Sequence, residues 1–79
     1  MIKLDKIKKN NDHISCKAFL EDCTTGIDLR YNINNDEFEP FSLPKGYEWC
    51  SSHIAHAKRY LRTLNDKEYI PKERIIMWY

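Results

Sequence analysis

Glycine is almost missing from this chain, at two residues in 79, and proline is scarce at three. With 42% apolar and 32% charged residues, that composition belongs to a folded protein and excludes a disordered one. Long hydrophobic runs are missing as well. The longest, Ile75 to Tyr79, is far too short to span a membrane, and no signal-peptide core follows Met1. The expected compartment is therefore the cytoplasm, with no membrane contact. Cysteine is present only as Cys16, Cys23 and Cys50, an odd number at spacings unlike those of a secreted disulfide scaffold. Free thiols are expected. Repeats, low-complexity tracts and linkers are lacking too, and a chain of this length has room for one domain, 1–79, around one core.

Charge is present in both signs, giving a net +1, but it is unevenly spread. Residues 1–20 carry a net +3, residues 21–48 a net −5, and residues 49–79 a net +3. An acidic middle between basic ends opposes bulk attraction to nucleic acid, which favours a clearly basic domain. It suits a charged partner met in one orientation.

Hydrophobic spacing gives the elements. Ile2 and Leu4 alternate with Lys3 and Asp5, a first strand to about Lys8; Ile7 breaks the alternation, so the strand bulges or ends early. Asn10 to Asp12 is turn chemistry. From His13 to Glu21, Ile14, Cys16, Ala18 and Leu20 face one side, with His13, Ser15, Lys17 and Phe19 on the other. A third strand runs from Ile27 to Ile33. A short one follows around Glu37 to Ser42, where Pro40 demands an edge or an early stop. Cys50, Ile54, Ala57, Leu61 and Leu64 then fall within about 40° of one line on a helical wheel, an apolar stripe. The expected fold is α+β: a β-meander of three to four antiparallel strands (1–42), one helix (47–65) packed on one face, and a C-terminal strand (74–79).

Three constellations carry chemical suggestion. Cys50, His53 and His56 offer zinc donors at i, i+3 and i+6, but Cys50 and His56 point about 120° apart on a helix, so the three converge poorly. A Cys50–His53 thiolate pair would need a reactive thiol, and Cys50 lies on the centre line of the stripe, where burial keeps it inert. With no acyl-binding loop or oxyanion nest readable, no enzyme and no cofactor are expected. Lys58, Arg59, Tyr60 and Arg62 place cations beside an aromatic on the outer face and flank of the helix, which is what phosphate contact and base stacking need. The end of the chain is the stronger oddity. Ile75 to Tyr79 is apolar on both faces of a strand; if Ile75 and Met77 meet the helix, Ile76 and Trp78 emerge beside Phe19 on the open sheet face. The alternative is a central strand covered on both sides.

The segment from Leu43 to Ala57 (LPKGYEWCSSHIAHA), with the ending from Pro71 to Tyr79 (PKERIIMWY), resembles small uncharacterised proteins of low-GC Gram-positive bacteria, associated with conjugative-transposon and phage-derived gene clusters. No activity comes with that resemblance; it implies an accessory protein acting through a partner. The expected function is a non-enzymatic protein–protein interaction module. It would meet an unknown protein, or a second copy as a homodimer, through Phe19, Ile76 and Trp78. Nucleic-acid binding and a zinc domain are the competing readings.

If the stripe packs on the sheet, Leu61→Ala lowers unfolding free energy by about 2–5 kcal/mol in thermal melts; an unchanged melt would contradict the helix assignment.

Overall fold

The computed structural model describes residues 1–77. The alternating stretches become β1 (Ile2–Lys9), β2 (His13–Leu20), β3 (Ile27–Asn32) and β4 (Glu37–Phe38), an antiparallel meander. Helix α1 (Ser51–Thr63) runs into a short 3₁₀ turn (Leu64–Asp66), and β5 (Arg74–Ile76) returns beside β1. Among the described residues the sheet order is β4-β3-β2-β1-β5, an α+β fold with five strands and one α-helix. No helix among the described residues is long and apolar enough to cross a membrane.

Side-chain period decides what is buried. Ile14, Cys16, Ala18 and Leu20 of β2 and Ile27, Leu29 and Tyr31 of β3 all point to one face and are buried there. The two strands pair with Cys16 opposite Leu29 and Ile14 opposite Tyr31, so their apolar halves coincide. The turns use the short polar side chains. Asn10 Oδ1 accepts the amides of Asp12 at 2.9 Å and His13 at 2.7 Å, and Asn32 Oδ1 accepts those of Asn34 at 2.9 Å and Asn35 at 3.3 Å. β4 stops before Pro40, which has no amide to donate.

The break in alternation at Ile7 is a β-bulge. Register against β2 shifts between Asp5 and Lys8, and Lys6 takes φ 51°, in the left-handed region. Asp5 Oδ1 accepts the Lys6 amide at 2.9 Å and steadies the kink. One extra residue returns Ile7 to the buried face with Ile2 and Leu4. It also brings Lys9, opposite buried Ile14, under the end of the helix.

The stripe Cys50, Ile54, Ala57, Leu61 and Leu64 is buried, so the helix packs as its spacing predicts. Its start has no side-chain cap: Cys50 takes the N-cap position, and its carbonyl accepts the amides of His53 at 3.0 Å and Ile54 at 3.3 Å. Its end is held by charge. Lys9 Nζ donates to the carbonyls of Leu64 at 3.2 Å, Asn65 at 2.6 Å and Lys67 at 3.5 Å, where the helix dipole is negative.

β5 corrects the expected placement of the last strand. It pairs Ile76 with Ile2, Ile75 with Lys3 and Arg74 with Leu4, so Ile76 shares the face of buried Ile2 and packs against the core. Ile75 points the other way. The large apolar side chains on the open face are thus those of Phe19 and Ile75, not Ile76, and Trp78 lies outside the described residues along with Tyr79. Nor is β5 central: among the described residues it is an edge strand paired with β1.

A left-handed residue with a branched side chain is costly, so Lys6→Val destabilises by about 1–2 kcal/mol in urea unfolding, while Lys6→Gly is tolerated. Equal stability of the Val and Gly variants would contradict the bulge.

Candidate functional site

On the face away from the helix, side chains line up in rows across the strands. Directly opposed residues give Ile75–Lys3–Phe19, then Asp5–Lys17–Asp28, then Lys8–Ser15–Arg30. The first row sets two large apolar side chains on either side of one lysine. With strands about 4.8 Å apart, Ile75 and Phe19 stand about 10 Å from each other. Ile75 is 54% exposed, Met77 two residues on is 64% exposed, and Phe19 is half-buried. Trp49 does not cover this face: its ring meets His53 edge-on at 5.4 Å and its Nε1 donates to the Gly46 carbonyl at 3.0 Å, at the start of the helix.

The outer face of the helix is less free than its sequence suggests. Arg62 grips Asp36 with two hydrogen bonds, Nε to Oδ1 at 2.9 Å and Nη2 to Oδ2 at 2.8 Å. The Tyr31 hydroxyl donates to the same carboxylate, so Asp36 ties the helix to β3 and the turn after it. Hydrogen bonding from Tyr31 first, and then from Arg62, holds the Asp36 carboxyl below its ordinary value. The Arg74 guanidinium lies 5.2 Å from the centre of the Tyr60 ring, a cation–π contact. Of the four residues proposed for nucleic acid, Arg62 and Tyr60 are engaged within the protein; Arg59 is exposed and Lys58 half-buried.

The cysteine–histidine segment separates into different environments. Cys50 is fully buried, His53 is 4% exposed at the edge of the core, and His56 is half-buried. His53 Nε2 lies 3.7 Å from Glu21 Oε1, and Glu21 Oε2 accepts the Met1 amino group at 2.6 Å. Among the described residues no three His, Cys, Asp or Glu side chains gather into a group that could hold a metal ion. The trio Cys50, His53 and His56 is therefore not brought together. Burial, and then the charge of Glu21, pushes the Cys50 thiol up, and burial alone pushes Cys16 up to about 12. Such thiols stay protonated near neutrality and are poor nucleophiles.

Sequence spacing found Phe19 on the open face but missed Ile75 and Met77. Two successive isoleucines carry no parity signal of their own, so only the pairing with β1 decides which one points outward. Compared with known proteins, the chain matches no protein-family model, no curated protein and no solved structure.

A carboxyl held below its unfolded value adds stability above that value and loses it as pH falls through the folded one. Parent and Asp36→Asn should therefore differ in urea midpoint near neutral pH and converge as pH falls below the ordinary carboxylate range. A gap that persists undiminished at acid pH would contradict the Tyr31–Asp36–Arg62 link.

Proposed function

We propose that this chain is a non-enzymatic interaction module, needing no cofactor, that meets a protein partner with the open face of its sheet at Phe19, Ile75 and Met77. The observation that carries this reading is the orientation of the last strand. It turns Ile76 toward the core and leaves Ile75 to solvent on an edge strand, in the same row as Phe19, with exposed Met77 just beyond the strand's end. A single exposed apolar side chain is ordinary, but several together with charges around them are what protein interfaces use. The protonated, buried state of Cys16 and Cys50 supports a function without thiol chemistry. Engagement of Arg62 by Asp36 and of Tyr60 by Arg74 weighs against the helix as a nucleic-acid surface. The resemblance of the C-terminal half to small mobile-element proteins fits an accessory role of this kind.

The test is a tagged capture from the native host, with and without nuclease, for the parent and for Ile75→Ser/Met77→Ser. Both positions are exposed, so the melting curve should not change. The double variant should lose the parent's partner, and that capture should resist nuclease. Equal capture by parent and variant would contradict the reading, and nuclease-sensitive capture would favour nucleic acid.

A further inference from the structure

Beside the apolar row lies a depression of about 370 Å³ whose walls include Lys6, Ser15, Lys17, Asp28 and Arg30. Its cations are built into place by backbone features. Lys6 is the extra residue of the bulge, in the left-handed region, and this departure from the β1 ladder lets it join a wall otherwise made by β2 and β3. Lys17 lies with its stem across Gly26, where a methyl group would come within 2.4 Å of its Cε and push the stem aside. Arg30 stands directly opposite Ser15, whose hydroxyl is a donor on the same floor. Among the described residues none of these three cations makes an ion pair or a side-chain hydrogen bond.

Resting on the interaction reading above, we propose that the partner presents an acidic, extended peptide segment: one carboxylate sits among Lys6, Lys17, Arg30 and the Ser15 hydroxyl, and an apolar side chain sits on Phe19 and Ile75. Spacing supports this. Phe19 and Lys17 are two residues apart on β2, about 7 Å, the same repeat that separates i and i+2 on one face of an extended peptide. Charge pattern selects a peptide over a nucleic acid. Asp5 and Asp28 flank Lys17 in the same row, so a strand of successive phosphates would meet two carboxylates, whereas a single carboxylate fits between them. Carboxylate capture by lysine, arginine and hydroxyl donors is charge-assisted and directional.

The probe is a fluorescein-labelled, acetylated hexapeptide, serine–leucine–serine–glutamate–serine–serine, which places leucine and the glutamate on one face when extended. A counterpart carries glutamine in place of the glutamate. By fluorescence anisotropy the acidic peptide should bind saturably and weaken as sodium chloride is raised. Lys17→Gln/Arg30→Gln should lower its affinity about tenfold with an unchanged melting curve, and exposed Arg30→Gln alone should show part of that loss. Equal affinity for the glutamine counterpart would overturn the acidic partner while leaving the apolar interaction face standing. Binding undiminished in the double variant, or tighter binding of a thymidine oligonucleotide that the same variant abolishes, would also overturn it. So would a parent that light scattering shows to be a dimer, broken by Ile75→Ser and indifferent to the peptide, because the face would then belong to a second copy.

Discussion

One helix can cover one face of one sheet, and everything else in this protein follows from which residues that covering face receives. The stripe from Cys50 to Leu64 closes over the apolar halves of β1, β2 and β3. What remains outward is a sheet surface of lysines, carboxylates and a few large apolar side chains. Parity in each strand is therefore the governing constraint: a slip of one residue exchanges core for surface. β1 would fail this condition if it ran straight, because Ile7 is out of step with Ile2 and Leu4. The bulge at Lys6 repairs it at the cost of one residue in the left-handed region.

The acidic middle of the chain and its basic ends meet within the fold. Glu21 faces His53 and the Met1 amino group, and Asp36 holds Arg62. Tyr47 donates to Asp22 at 2.9 Å, and His13 lies 3.0 Å from Glu39. Much of the charge asymmetry visible along the sequence is thus an intramolecular pattern that fixes the helix and the β4 edge against the rest. Exposed pairs of this kind add little stability singly; their use here is to set orientation where the core is small. Lys9 does the same at the helix end, supplying the positive charge that the last carbonyls lack. Among the described residues Lys6, Lys17 and Arg30 of the open face make no ion pair of this kind, and they gather around one depression near Phe19.

Much of the fold was legible in the sequence because it rests on local period. Strand alternation in β2 and β3, the helical stripe, the turn asparagines and the early stop at Pro40 all appear as expected. The irregularity at Ile7 was legible as a choice between a bulge and an end, and the left-handed Lys6 decides it. The site was legible only in part. Phe19 follows from the period of β2, but Ile75 and Ile76 are chemically identical neighbours, so only long-range pairing to Ile2 and Lys3 sorts them. The Lys6, Lys17 and Arg30 cluster joins three strands through a bulge and a glycine, and no local spacing announces it. Likewise, His53 meets Glu21 from elsewhere in the chain, a contact that no local spacing announces.

The last strand turns Ile76 inward and leaves Ile75 and Met77 outward, and the interaction face depends on that orientation. Methyl NMR spectra recorded with a soluble paramagnetic agent read this directly, since the agent broadens only what solvent reaches. The Ile75 and Met77 methyl signals should broaden steeply, while those of Ile76 and Ile2 stay sharp. Sharp Ile75 and broadened Ile76 would mean the opposite register, and the interaction face described here would not exist.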